Sequence, residues 1–258
     1  MIRGLWDRET VALLLLAAFM PLALAWLWFG GTEAIGRLAL ALVVSGLWHL
    51  IFMVARAQAP SFAGALTALA VAMLAPVGLG PFAVILGISF GSVMAELVFG
   101  GWGRNVVNPA TVTLAFLGFS WPAAPWPDLV LPVAWAAIPA AALGVVFGLL
   151  SLRIMAGAAV VAILALAAGI DLSEVLPVAG IVLVLLVCDP VASATTSLGR
   201  WLNGLLFGAL IVLFTATWTN AAPTQIAVSA ALLASLAAPA LDEVALFIWL
   251  TRRRRRHG

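Results

Sequence analysis

Lysine and tyrosine are absent from this chain of 258 residues, and charged residues of all kinds make up only 9% of it. A soluble domain carries about 25% charged residues, so this composition excludes a water-soluble fold. Cysteine occurs once, at Cys188, which excludes an internal disulfide and a cysteine-ligated cluster built by this chain alone. The two histidines, His49 and His257, do not form a metal-binding set. The net charge of +2 and the lack of a basic, aromatic-rich face indicate no nucleic-acid partner.

Apolar residues dominate what is present. They make up 65% of the chain, and the mean hydropathy is +1.22. Backbone polar groups inside a bilayer must be satisfied internally, which leaves helices or a closed barrel. The apolar runs are continuous and lack two-residue alternation, so they favour helices. The acidic residues Asp7 and Glu9 before the first run argue against a cleavable signal. The sequence predicts an all-α polytopic membrane protein.

Apolar runs long enough to cross a hydrocarbon layer of about 30 Å occur repeatedly along the chain. Ten runs are predicted as transmembrane helices, at residues 11–30, 38–57, 61–79, 82–100, 108–122, 129–150, 154–170, 175–188, 201–219 and 224–250. The fifth and eighth runs are short. Short spans beside Gly, Pro and polar residues are typical of broken helices in transport folds.

The arginines predict the orientation. With the N-terminus in the cytoplasm and ten spans, eleven of the twelve arginines fall on the cytoplasmic side, and Arg37 alone falls opposite. Both termini are therefore predicted to be cytoplasmic. The run at 252–256 is interpreted as a stop-transfer anchor rather than a lipid or nucleic-acid patch. Residues 1–258 form one transmembrane domain, predicted as a 5+5 inverted repeat with halves of about 1–122 and 123–258 and a seam at 122–128.

Two polar segments interrupt the apolar pattern, both on the predicted cytoplasmic side. We call residues 99–110 the first break and residues 188–200 the second break. In the first break, three glycines permit positive φ angles, and Asn108 followed by Pro109 is typical of an N-cap and first helical residue. In the second break, Asp189 and Pro190 repeat this pattern, and hydroxyl residues follow. We therefore expect two helix N-termini to lie side by side.

Converging helix N-termini suit an anion or an electron-rich ring such as a reduced flavin. The alternative is that these residues only cap broken helices, and the residues alone leave both interpretations open. The candidate cofactor-binding residues are the polar and glycine residues of the two breaks: Gly100, Gly101, Gly103, Asn105, Asn108, Asp189, Thr195 and Thr196.

Other polar residues within the spans have simpler interpretations. His49 is predicted to be a structural histidine whose hydrogen bonds are satisfied, and Glu96 to pair with Arg104. Asp242 and Glu243 are predicted to pair with arginines. Cys188 is interpreted as a buried, unreactive thiol.

Several segments resemble a known family. The run F-G-G-W-G-R-N-V-V-N-P-A at 99–110 resembles the F-G-G-x-G-x-N-x-x-N-P-A signature of the NqrB/RnfD family, which are membrane subunits of sodium-pumping NADH:quinone reductase and of the Rnf complex. The run D-P-V-A-S-A-T-T-S-L-G-R at 189–200 resembles a second motif of that family, and residues 65–76, 208–211 and 237–242 resemble its third and last two spans. The resemblance covers roughly residues 60–250 in collinear order.

This resemblance implies a fold like that of urea and ammonium channels, a bacterial inner-membrane location and a flavin-carrying electron path. Family members hold a covalent FMN on a threonine between the fifth and sixth spans, plus a non-covalent riboflavin. Here that loop is only 122–128 and has no hydroxyl residue, so covalent FMN is not expected. Asn105 and Asn108 match the positions associated with the riboflavin. The family usually has lysine near the position of Glu96, so a contact made by that lysine would here involve a side chain of opposite charge.

The leading hypothesis is an electron-transfer subunit that binds riboflavin or FMN non-covalently, with ion translocation as an added role. No nucleotide-binding motif or iron–sulfur cysteine set is present in the sequence, so partner subunits carrying flavin or iron–sulfur centres must supply that chemistry. The alternatives are a channel or transporter of the same fold without redox activity, and an assembly scaffold. Flavin absorbance distinguishes the first hypothesis from both alternatives.

Overall fold

A computed structural model of the chain describes residues 7–56 and 61–257, without the side chains of 254–257. Arg3 and the side chains of residues 254–256, which contribute to the predicted orientation, lie outside this description. Within the described residues the chain forms helices, turns and loops and no strand, which confirms the all-α prediction.

Nine α-helices follow one another along the described chain, and two of them end in a π-helical segment. The helices are α1 (Arg8–Arg56), α2 (Ala63–Leu74), α3 (Pro81–Gly91), α4 (Pro109–Ser120), α5 (Leu131–Val146), α6 (Leu152–Ala167), α7 (Val175–Val182), α8 (Ser197–Thr217) and α9 (Pro223–His257). The π-helical segment Ser92–Leu97 extends α3, and Leu183–Val187 extends α7.

The first helix is too long to be a single crossing. Its 49 residues would span about 74 Å at 1.5 Å per residue, well beyond a bilayer. Gly31 has φ 57° and ψ −144°, which is non-helical, so it divides α1 into two helical halves. The first half begins after Asp7, whose Oδ1 accepts the Thr10 N–H at 2.8 Å as an N-terminal cap. Hydrogen bonds from Thr10 lower the pKa of this exposed carboxyl.

The helices differ in whether they can span a bilayer alone. Three are long and apolar enough to do so: Arg8–Arg56, Ser197–Thr217 and Pro223–Arg253. The others are apolar but contain 10–17 residues, fewer than the roughly 20 of a simple crossing. The chain is therefore a helical membrane protein with both long and short helices. The count of ten crossings stays a prediction.

Small residues allow the backbones of α6 and α8 to pack closely together. A Cβ at Gly157 would lie 2.8 Å from the Trp201 carbonyl oxygen, and one at Gly204 would meet the backbone of Ile154. Small residues that let backbones approach are the usual basis of helix packing in a bilayer, where the hydrophobic effect does not drive association. This contact fixes α8 and so positions the second break, from which α8 begins.

The two halves place a break after the same local structure. In the first half, α3 ends in a π-helical segment and the first break leads to α4. In the second half, α7 ends in a π-helical segment and the second break leads to α8. π-Helical turns are rare and occur most often at functional sites. Both therefore direct attention to the segments that follow them.

Candidate functional site

The first break turns sharply because of its glycines. Gly100, Gly101 and Gly103 have φ angles of 107°, 88° and 92°, in the region that L side chains rarely adopt. The sequence-based prediction that these glycines permit positive φ is therefore confirmed. Residues 100–108 form a compact loop in place of a further turn of helix.

Asn105 stabilises this loop from within. Its Oδ1 accepts the Gly103 N–H at 3.2 Å, and its Nδ2 donates to the Val107 carbonyl at 3.3 Å. The side chain is 5% exposed. Both polar atoms of this predicted site residue therefore have partners two residues away, and the side chain sets the shape of the loop.

Asn108 joins the two breaks. Its Oδ1 accepts the N–H groups of Ala110 at 2.9 Å and Thr111 at 3.2 Å, so it is the N-cap of α4 as predicted. Its Nδ2 donates to Asp189 Oδ2 at 2.7 Å, although the two residues are 81 positions apart. We call this contact the Asn108–Asp189 junction. It places the first polar residue of the second break directly against the start of α4.

Asp189 does not begin a helix, so the prediction of a second cap-then-proline helix start is wrong. Asp189 Oδ1 accepts the Val191 N–H at 2.9 Å, which folds the second break into a turn. The next helix, α8, begins at Ser197 with Thr196 as its N-cap. Asp followed by Pro is typical of turns as well as of caps, and here the turn forms. One helix N-terminus, that of α4, lies at the junction.

Thr195 and Thr196 form a separate cluster with Asp242 of α9. The Thr195 N–H and hydroxyl donate to Asp242 Oδ2 at 2.7 and 2.8 Å. The Thr196 N–H and hydroxyl donate to Oδ1 at 2.9 and 2.6 Å. The prediction that Asp242 pairs with arginine did not anticipate this arrangement. The two predicted site residues bind a carboxylate of their own chain, which fixes the start of α8 against α9.

The interior of the junction is small. A cavity of about 20 Å³ is bounded by Trp102, Asn108, Pro109, Asp189 and Pro190, together with apolar side chains from α1 and α2. That volume holds about one water molecule. Pockets for drug-sized ligands are about 300–1,000 Å³, so an isoalloxazine ring does not fit inside the junction.

The outer side of the first break is exposed and positively charged. Gly103 and Arg104 are exposed, whereas Trp102 and Asn105 are buried beneath them. Arg8 reaches this loop from α1, with Nη1 3.5 Å from the Trp102 carbonyl oxygen. Two guanidinium groups at this exposed loop favour an anionic ligand at the rim.

Glu96 does not follow its predicted pairing. Its Oε1 lies 3.0 Å from His49 Nε2, so its partner is His49 rather than Arg104. His49 Nδ1 is 2.9 Å from the Ser45 carbonyl oxygen. Both ring nitrogens of His49 therefore have partners, as predicted for a structural histidine, but one of them is a buried carboxylate. Cys188 is buried, as expected.

Larger cavities lie away from the predicted site residues. One of about 450 Å³ is lined by Glu33, Arg37 and the residues that follow α2, whereas the junction cavity contacts the first part of α2. Another of about 390 Å³ is apolar and lies between α5 and α7. The polar breaks and the larger cavities are therefore different regions of the molecule.

Comparison with known proteins matches the half of the chain that contains the first break. A model of the NQR2, RnfD, RnfE family matches residues 2–130, which is half of the chain and includes the first break. The chain belongs to the NQR2, RnfD, RnfE family. Membership confirms the resemblance inferred from the two motifs.

Three similar proteins are named as the B subunit of the Na(+)-translocating NADH-quinone reductase. The B subunit of the Na(+)-translocating NADH-quinone reductase of Klebsiella pneumoniae is 40% identical over 88 residues, which are 34% of this chain and 21% of the relative. The same subunit of Neisseria meningitidis is 38% identical over 95 residues, 37% of this chain and 23% of the relative. That of Stutzerimonas stutzeri is 26% identical over 273 aligned positions, covering 83% of this chain and 67% of the relative. The first of these matches thus spans about a fifth of the relative.

Sequence reasoning missed two partners at these sites, Asp242 and His49. A charged residue in an otherwise apolar span is itself a signal of a specific partner. That signal does not identify the partner, because the two residues of each pair are 46 or 47 positions apart along the chain.

Proposed function

We propose that this chain is an electron-transfer subunit of a multi-subunit membrane oxidoreductase and binds a flavin non-covalently beside the Asn108–Asp189 junction. The observation that carries the proposal is the 2.7 Å hydrogen bond between Asn108 and Asp189, because it joins the two motifs that resemble the family signatures. A single hydrogen-bonded surface thus contains residues from both halves of the chain. Family membership supports the electron-transport role.

The residues fit a flavin at the rim of the junction and not in its interior. The enclosed cavity of about 20 Å³ excludes the ring, and the side chains of Asn105 and Asn108 already have partners. The exposed side of the first break, with Gly103 and Arg104, suits the electron-rich edge of a flavin. The buried asparagines would then act by holding the loop in the shape that exposes Arg104. The bound flavin, riboflavin or FMN, would supply the redox chemistry.

Covalent attachment of FMN is not part of this proposal. The connection between α4 and α5 at 122–128 contains no serine or threonine, the residue types that could carry the ester. Thr195 and Thr196 belong to the second break, and their hydroxyls donate to Asp242. Neither is proposed as an attachment residue.

The proposed arrangement in the membrane has ten crossings as a 5+5 inverted repeat, resembling urea and ammonium channels. The repeated order of helix, π-helical segment, break and helix in both halves supports it. The distribution of arginines supports an inner-membrane protein with both termini in the cytoplasm. Both breaks then face the cytoplasm.

Partner subunits are part of the proposal. The relatives are named as subunits of a Na(+)-translocating NADH-quinone reductase. The described residues contain no group of three or more side chains that could hold a metal ion. Electron donors and acceptors would therefore be carried by other flavin- or iron–sulfur-containing subunits, and a pumped ion is an added role that the name of the relatives supports.

The alternative is a channel or transporter without redox activity. The small junction cavity favours it, since about 20 Å³ admits water or a small ion and not a ring. Two measurements distinguish the functions: the visible absorbance of the protein purified gently with its partners, and solute flux into vesicles that contain it. Flavin absorbance without flux supports the electron-transfer proposal. Flux without extractable flavin would contradict the electron-transfer proposal and support the channel function.

A further inference from the structure

A buried pair of titratable side chains lies in the membrane region, outside the two breaks. His49 is in the second half of α1, and Glu96 is in the π-helical segment after α3. Glu96 is completely buried, and its Oε1 is 3.0 Å from His49 Nε2. A charged group in this environment is costly unless a partner neutralises it. The state of the proton between these two atoms therefore matters.

The backbone fixes one of the two ring protons of His49. Nδ1 lies 2.9 Å from the Ser45 carbonyl oxygen, which can only accept a hydrogen bond. Nδ1 must therefore carry hydrogen. The contact between Nε2 and Oε1 then needs a second proton, carried either by the imidazolium or by the carboxyl group. Without it, a nitrogen lone pair would face a carboxylate oxygen at 3.0 Å.

The surroundings hold the ring in place and leave one carboxylate oxygen free. A Cβ at Gly64 would lie 2.7 Å from the ring, so α2 packs directly on its edge. Among the described residues, Glu96 Oε2 and the hydroxyl of Ser92, one turn earlier, have no hydrogen-bond partner. A purely structural ion pair in an apolar environment would be expected to satisfy both carboxylate oxygens. The unpartnered Oε2 distinguishes this pair from such a structural ion pair.

We propose that His49 and Glu96 form an intramembrane proton-binding site that holds one exchangeable proton. In both of its forms, imidazolium with carboxylate or imidazole with carboxylic acid, the pair is neutral overall. Loss of the proton leaves one negative charge in the membrane. This site does not depend on flavin binding.

Charged groups on the surrounding elements set how tightly the proton is held. The acidic groups of the neighbouring elements are Glu9 of α1, whose Oε2 accepts the Phe62 N–H at 2.9 Å, and Asp189 of the second break. Both oxygens of Asp189 accept N–H hydrogen bonds. Arg56 opposes them, since its Nη1 donates to the Leu97 carbonyl at 2.8 Å, and Arg104 lies in the first break. Negative charge near the pair strengthens proton binding, and positive charge near it weakens proton binding.

The chain offers a direct measurement because it has only two histidines. In the variant His257→Gln, His49 is the sole histidine, so nitrogen NMR of histidine-labelled protein in lipid nanodiscs reports one ring. Infrared spectroscopy of the same sample reports protonated carboxyl groups, and Glu96→Gln identifies the band of Glu96. At neutral pH we expect a protonated Nδ1 together with one further proton, on Nε2 or on Glu96. Two results would overturn the proposal. One is an unprotonated Nε2 together with an ionised Glu96, and the other is an unprotonated Nδ1.

If Glu96→Gln does not fold, Glu96→Asp identifies the carboxyl band by its displacement, and the wild-type measurement stands by itself.

Discussion

Asn108 Nδ2 donates a hydrogen bond to Asp189 Oδ2 across 2.7 Å, and this contact ties together two chain segments 81 residues apart. The same side chain caps α4 through its Oδ1. One amide thus serves a helix start in the first half and a turn in the second half.

Replacement of Asn108 with alanine should destabilise the protein. The loss of an N-cap costs about 0.5–2 kcal/mol, and an Asp189 oxygen left without its donor costs about 1–3 kcal/mol more. Thermal unfolding in detergent should therefore show a clearly lower midpoint. Asn220→Ala, in the exposed turn between α8 and α9, is the matched control and should leave the midpoint unchanged. Equal midpoints for the two variants would contradict the role given to the junction.

The Asp242 cluster predicts a local effect at the start of α8. In Asp242→Asn, one carboxylate oxygen becomes an NH₂ group that cannot accept, so two of the four hydrogen bonds from Thr195 and Thr196 are lost. Hydrogen exchange at the one amide that then faces the NH₂ group should accelerate by roughly one to two decades, the equivalent of about 1–3 kcal/mol. Glu243→Gln, at the adjacent exposed position, should leave exchange unchanged. Equal protection in both variants would show that Asp242 does not hold α8.

The close contact between α6 and α8 predicts opposite effects for two helical glycines. A Cβ at Gly204 would collide with the backbone of Ile154, which cannot move aside without displacing α6. Gly204→Ala should therefore destabilise the protein by about 1–3 kcal/mol. Gly180→Ala in α7 meets no atom within 4 Å and should be neutral or stabilising by about 1 kcal/mol. The order of the two unfolding midpoints checks the packing, and a reversed order would refute it.

Local pattern predicts the helices and breaks well. The short runs predicted at 108–122 and 175–188 correspond to α4 and to α7 with its π-helical extension, which end at Ser120 and Val187. These features depend on apolar content, glycine and proline, all of which act over a few residues. The N-cap role of Asn108 has the same local origin.

Partner choice over long distances could not be predicted. The sequence predicts a helix start at Asp189 but a turn forms there, because Asp-Pro is compatible with both and packing decides between them. Glu96 binds His49, which is 47 positions away, rather than the nearer Arg104. Nothing in the spacing of single charges in apolar helices specifies which of them meet. Such contacts follow from how the helices pack.

The orientation of the chain is testable without any assumption about flavin. Reporter fusions after Arg56, Arg153 and Gly258 should be active in the cytoplasmic form, and a fusion after Pro125 should be active in the external form. The expectation follows from the eleven arginines placed on one side by ten crossings. An external reporter at Gly258 would overturn the span count.

The central claim is that a flavin binds non-covalently beside the Asn108–Asp189 junction, and its most direct test is the flavin released from the protein on denaturation. Wild-type protein, purified gently with its partners, should release riboflavin or FMN, and the 26.8 kDa band on a denaturing gel should not fluoresce under ultraviolet light. Asn105→Ala and Asn108→Ala remove hydrogen bonds that hold the loop, each worth about 1–3 kcal/mol, and should lower flavin affinity by up to about one to two decades. Asn220→Ala should retain the flavin. Wild-type protein without extractable flavin, or equal flavin content in all three variants, would contradict the account.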